Sequence, residues 1–126
     1  MSDIAARNKR NRGAGKRWEK EILDGARAQG FDTERTRDTG MKDEGDHVIR
    51  HGGHYFVIEA KNAKLEPTPF LREAATEAAH FAENRKLAED VVHPVVFVKR
   101  RGFGFLDAIA MMTVRDFLTL IGGKVS

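Results

Sequence analysis

The sequence predicts an α/β protein: one domain built on a central mixed β-sheet flanked by helices. Three observations carry that reading. Two strand-like runs, 46–51 and 54–61, are separated by Gly52-Gly53, a pair suited to a tight hairpin turn with positive φ. Apolar residues recur at helical spacing on both sides of that hairpin, from Trp18 and from Phe70. The chain of 126 residues is near the common single-domain size and buries roughly two-thirds of its surface on folding.

Residues 1–15 hold Arg, Asn, Lys and Gly with almost no apolar side chain, so they are expected to form a flexible basic arm ahead of a folded domain at 16–126. From Lys16 a helix is expected, with Trp18, Ile22, Leu23 and Ala26 on one face and Gly30 placed to end it. Phe31–Arg37 alternates as a strand, and the polar stretch 37–45 with Gly40 reads as a loop. After the hairpin, Thr68 is expected to cap a long helix with Pro69 in its first position. Phe70, Leu71, Ala74, Ala78, Phe81 and Ala82 form the buried face of that helix. Val95–Lys99 is a short apolar strand and Phe105–Met112 another, after the Gly102–Gly104 turn. Thr113 then caps a last helix, Val114–Ile121, closed by Gly122-Gly123. The order α-β-β-β-α-β-β-α gives a mixed sheet with helices packed on it.

Composition narrows the function. With no cysteine there is no disulfide framework, no thiolate nucleophile and no cysteine-bound zinc or iron–sulfur cluster. The longest apolar run, Ala108–Met112, is too short to span a bilayer, and charge stands where a signal peptide needs an apolar stretch. The expected setting is the reducing cytoplasm of a prokaryotic or phage-infected cell, with no membrane partner. Net charge is only +3, but the first twenty residues carry +5 and the remainder sums to −2. A basic arm before a near-neutral domain suits a polyanion, because Lys and Arg that neutralise phosphates release condensed counterions.

The hairpin also serves as a ruler. If Gly52-Gly53 are the loop residues, paired positions sum to 105, and Asp46 falls opposite Glu59. Directly opposed residues have Cβ atoms about 4.5–5.5 Å apart, and like charges there repel. Lys61 lies two residues beyond Glu59 on the same face. Two carboxylates facing each other in a half-buried sheet need a cation or a shared proton, and oxygen ligands suit a divalent metal, foremost Mg²⁺. The residues alone leave open a purely structural pairing, with Lys61 bridging to Glu59 or Asp46. Glu19 adds weight to the metal, since it projects from the apolar side of the first helix toward the sheet, where an unpaired carboxylate is costly. Such a set supports phosphodiester hydrolysis: metal held by Asp46, Glu59 and Glu19, with Lys61 orienting water or offsetting charge in the transition state.

Asp46 followed after a variable gap by Glu59-Ala60-Lys61 resembles the catalytic core of the PD-(D/E)xK nuclease superfamily. Within it, the chain is similar to the archaeal-type Holliday junction resolvases, the Hjc group. The similarity begins at Arg12-Gly13, takes in Glu19 at the helical acid position, Gly30-Phe31, and Arg37 with Gly40, and ends around Pro94–Lys99; it spans about residues 12 to 112. One departure stands out. The family has an Arg-Ser-x-Gly-like loop where this sequence has Arg37-Asp38-Thr39-Gly40, so Thr39 offers its hydroxyl one residue later, and the loop up to Asp46 is longer and more acidic. The resemblance implies a restriction-endonuclease-like fold, catalytic Glu19, Asp46, Glu59 and Lys61, and Mg²⁺ replaceable by Mn²⁺. It further implies a homodimer that cuts opposing strands of a four-way junction symmetrically.

Candidate DNA contacts are Arg10 and Arg12 on the arm, Lys16 at the start of the domain, Arg35, Arg37 and Thr39 around the first strand, and Lys99, Arg100 and Arg101 at a strand end. His47, His51 and His54 do not make a metal set, because His47 points away from the face of Asp46 and hairpin-tip residues are solvated. Trp18 and Phe105 read as core, and the alanine-rich helix allows close approach of the sheet or of a second chain. The expected activity is metal-dependent resolution of Holliday junctions. The alternatives are another branched-DNA or general nuclease of the same superfamily, and a DNA-binding module without catalysis.

Overall fold

The computed structural model describes residues 3–36 and 44–123. Helix α1 (Asp3–Ala28) is followed by β1 (Asp32–Arg35), β2 (His47–His51), β3 (His54–Lys61), α2 (Pro67–Arg85), β4 (Val92–Val98), β5 (Ile109–Met111) and α3 (Val114–Leu120). The five strands lie side by side in sequence order; β3 and β4 are parallel and every other pair is antiparallel. This is the expected mixed sheet, with α2 supplying the crossover that a parallel pair requires.

Each face of the sheet carries one long helix. Trp18 and Ile22 of α1 pack on Ile58 and Val95, with Ile49, Phe56 and Phe97 around them. On the opposite face, Ala78, Phe81 and Ala82 of α2 meet Val48, Val57 and Val92, while Phe70 and Ala74 meet Val96 and Val98. Alternation along β3 therefore sends Val57 toward α2 and Ile58 toward α1. Trp18 is core, as expected, and its Nε1–H donates to the Phe97 carbonyl at 3.1 Å, satisfying its one polar group. The small residues of α2 approach the sheet, not a second chain, at Ala74, Ala78 and Ala82.

Several boundaries differ from expectation. The first helix starts at Asp3, not Lys16, so α1 includes most of the basic segment expected as a flexible arm. Ala, Arg and Lys are good helix formers and outweigh the weaker Asn8, Asn11, Gly13 and Gly15. Helix α2 begins at Pro67 with Glu66 as its N-cap, two residues ahead of the expected Thr68-Pro69 start. Both prolines are tolerated because first-turn N–H groups have no partner inside the helix. The expected strand 105–112 splits into a 3₁₀ turn at Phe105–Asp107 and the short β5. The final helix is capped as expected: Thr113 Oγ1 accepts from the Asp116 N–H at 3.1 Å.

The 3₁₀ turn closes onto α1 at Gly25, where a Cβ would stand 2.4 Å from the Phe105 ring. Alanine favours a helix over glycine by about 1 kcal/mol, whereas overpacking costs about 1–3 kcal/mol. The contact dominates, so Gly25→Ala is expected to lower the urea midpoint; an unchanged or higher midpoint contradicts this packing.

Candidate active site

The expected hairpin register holds from His51↔His54 to His47↔Ile58, every pair summing to 105. The ladder stops there, and Asp46 is not a strand partner of Glu59. Its N–H donates to the Ile58 carbonyl at 3.0 Å, and its Oδ2 accepts from the Ala60 N–H at 2.8 Å. Gly45 makes this turn possible: its φ is +89°, and a Cβ there would lie 2.9 Å from Val57 Cγ1. Thr36 pins the same spot, donating its N–H to the Asp46 carbonyl at 3.2 Å and its hydroxyl to the Gly45 carbonyl. Asp46 is thus fixed by backbone at the end of β3, between the two helix-bearing faces.

Glu19 of α1 reaches Asp46 from one face. Burial, followed by a hydrogen bond to Asp46 and the charge of Asp46, raises its carboxyl to about 7; Arg35 and Lys16 pull in the opposite direction. Glu59 lies on the α2 side with only 6% of its surface exposed. Burial first, then a side-chain hydrogen bond to Glu77 and the charges of Asp46, Glu77 and Glu73, push its carboxyl far above the ordinary range. Its Oε1 is 3.6 Å from Lys61 Nζ, while Oε2 is buried without a hydrogen bond. Lys61 itself donates to Glu73 Oε2 at 2.6 Å. Burial acts against its charge, but Glu73 and Glu59 outweigh that and hold the ammonium above its ordinary value.

Two acids escaped the sequence reading. Glu73 and Glu77, one turn apart on α2, bring carboxylate oxygens within 4.8 Å of each other and of one from Glu59. A signal existed: Glu77 falls on the apolar stripe between Ala74 and Phe81, a place where a carboxylate is out of pattern. His47 was read only by direction; it is fully buried on the α1 face, and neither ring nitrogen has a hydrogen-bond partner. Burial lowers its tendency to protonate. His54 is not simply a solvated hairpin tip, since its Nδ1 lies 2.8 Å from Nε2 of the buried His93.

The basic candidates divide into two groups. Lys16 and Arg35 stand close enough to act electrostatically on Glu19, so they flank the acidic site. Arg12 and Arg101 are exposed. Lys99 instead bonds Glu21 at 2.9 Å and the Phe103 carbonyl at 2.9 Å, and its Nζ sits 5.1 Å from the Trp18 ring. Arg100 bonds the Asp107 carbonyl at 3.1 Å and stacks on Phe103 at 3.8 Å. These two are engaged within the chain. The Arg10 side chain, Arg37 and Thr39 fall outside the described residues.

Glu19 bonds Asp46, and Asp46 acts electrostatically on Glu59. Carboxylate oxygens are the ligands that suit a hard divalent cation. Among the described residues, however, the acids whose oxygens all lie within 4.8 Å of one another are Glu59, Glu73 and Glu77, not the expected trio. No protein-family model and no curated protein matches the chain. Among solved structures it is similar to that of Hjc from Archaeoglobus fulgidus, a Holliday junction resolvase from an archaeal hyperthermophile. The TM-score is 0.50 at 22% identity, covering 69% of this chain and 68% of that one. The two chains share a fold. Among the described residues no helix is long and apolar enough to cross a membrane.

The raised Glu19 pKa has a definite linkage sign. Between the unfolded value of 4.5 and the folded value of about 7, the folded state binds more protons, so the contribution of Glu19 to stability falls as pH rises. Relative to wild type, Glu19→Gln should therefore gain stability progressively from pH 4.5 to 7 and then level off, in metal-free thermal unfolding. A difference that runs the other way contradicts the burial of Glu19 beside Asp46.

Proposed function

We propose that the protein is a metal-dependent endonuclease that resolves four-way DNA junctions by phosphodiester hydrolysis. The observation that carries this reading is a run of pairwise interactions near the end of β3: Glu19 bonds Asp46, Asp46 acts electrostatically on Glu59, and Glu59 lies 3.6 Å from Lys61. It gains support from a fold shared with a Holliday junction resolvase. Asp46 and Glu59 would hold the cation, with Glu19 completing its shell from α1. Mg²⁺, or Mn²⁺ in its place, would polarise the phosphate and lower the pKa of a bound water.

The remaining roles belong to the chain itself. Lys61 is a charged donor beside Glu59 and would offset negative charge that grows on the phosphate in the transition state. Lys16 and Arg35 flank the carboxylates and would seat the phosphates on either side of the scissile one. The exposed Arg12 and Arg101 would extend that contact along the duplex arms. A four-way junction presents two strands for symmetric cutting, so the proposal includes a homodimer with one site per chain and acts in the cytoplasm.

The test is cleavage of a synthetic four-way junction, beside linear duplex and single strand, in Mg²⁺ or in EDTA. Wild type should give paired nicks on the junction in Mg²⁺ only. Glu59→Gln should abolish cutting yet retain junction binding, and Lys61→Ala should slow cutting about 10²–10³-fold. Cutting of every substrate favours a general nuclease; tight binding without cutting favours a DNA-binding module. Arg35→Ala and Lys16→Ala should each reduce the salt slope of junction binding by about 1, and unchanged slopes would remove them from the phosphate path.

A further inference from the structure

We propose that Glu44 is a positioning residue that holds Asp46 in place by tying the turn before β2 to the C-terminal end of α2. The part Asp46 plays in catalysis rests on the nuclease reading above; its placement by Glu44 does not. Glu44 is only 2% exposed, although it lies outside every helix and strand. Its Oε2 accepts from Asn84 Nδ2 at 3.3 Å and lies 3.5 Å from Arg85 Nε. Burying a carboxylate is costly unless a partner offsets the lost hydration, and these two residues of the last turn of α2 supply that partner.

The anchor is itself tied to the core. The Arg85 guanidinium lies 4.4 Å from the centroid of the Phe81 ring, and Phe81 is fully buried in the cluster that holds Val48 and Val57. The core thus orients Arg85, Arg85 holds Glu44, and Asp46 stands two residues further on. Gly45 between them has a φ of +89°, and a glycine turn is free to move unless it is held from both sides. At the end of β1, Thr36 holds it through the carbonyls of Gly45 and Asp46. Glu44 supplies the hold from α2. Without it the turn can shift, and the Asp46 carboxylate then loses the Ala60 N–H that orients it. The same helix carries Glu73, which bonds Lys61, so one rigid element places the proposed metal ligand and the proposed charge donor together.

Amide hydrogen exchange on the metal-free full chain tests the placement, because the Ala60 N–H reports its bond to Asp46. Glu44→Gln, and Arg85→Ala at a partly exposed position, should each cost Ala60 more protection than they cost the slowest core amides, which report global unfolding. Arg85→Lys keeps the positive charge and should restore most of that protection. In junction cleavage, Glu44→Gln should raise the Mn²⁺ concentration needed for half-maximal rate about tenfold, the scale of loss for a partner behind a metal ligand, with KM for DNA unchanged. A pair that serves stability alone would lower Tm and speed Ala60 exchange only in step with the core amides, with an unchanged Mn²⁺ requirement. That result overturns the inference and leaves the nuclease reading intact. Selective loss of protection at Ala60 with an unchanged Mn²⁺ requirement, or with no cleavage by wild type, supports the placement and counts against the metal role of Asp46 alone.

Discussion

Carboxylates of like charge are crowded into a partly dry space where β2 begins and β3 ends, and much of the architecture serves to keep them there. Glu19 arrives from α1, Asp46 from the turn before β2, Glu59 from β3, and Glu73 and Glu77 from α2. Mutual repulsion and burial both disfavour the ionised forms, as the raised pKa of Glu19 and of Glu59 records. The opposing force is apolar. Trp18 and Ile22 clamp α1 to one face of the sheet, and Phe70, Ala74, Ala78 and Phe81 clamp α2 to the other. Because those clamps lie along both helices, the backbone positions that carry the acids cannot separate without unpacking a core cluster.

Rigid placement matters for a site that must hold a small cation and a phosphate. Four of the five acids stand on helices or strands, which hold side chains more accurately than loops do. Asp46 is the exception, and it is compensated by backbone: Thr36, Ile58 and Ala60 each make a hydrogen bond to it, and Gly45 lets the chain pass over Val57. Lys61 is the one cation in direct contact with Glu59 among the described residues. Its bond to Glu73 keeps it charged and close, a store of positive charge available when the phosphate arrives.

The parts of this arrangement that depend on local pattern could be read from the chain. Hairpin arithmetic placed His47 through His51 correctly against β3, because Gly52-Gly53 sets a turn and the turn sets the register. Glu19 was legible because a helix face can be counted. Asp46 was legible as an acid at the edge of the hairpin but not in its geometry, since the departure from the ladder depends on Gly45 and on a hydrogen bond fourteen residues away. Glu73 and Glu77 were missed because their meaning is tertiary: only the parallel pairing of β3 with β4, with α2 as crossover, carries them over Glu59. Lys99 and Arg100 read as candidate DNA contacts for a similar reason, as their partners Glu21 and Asp107 come from elsewhere in the chain.

If this crowding is what prepares the site for a cation, metal and protons must compete for the same oxygens. Calorimetric titration with Mg²⁺ near pH 6.5, repeated in buffers of different ionisation enthalpy, counts the protons displaced on binding. The account predicts net proton release in wild type that diminishes in Glu19→Gln. Mg²⁺ binding without proton release, or no Mg²⁺ binding, would contradict it.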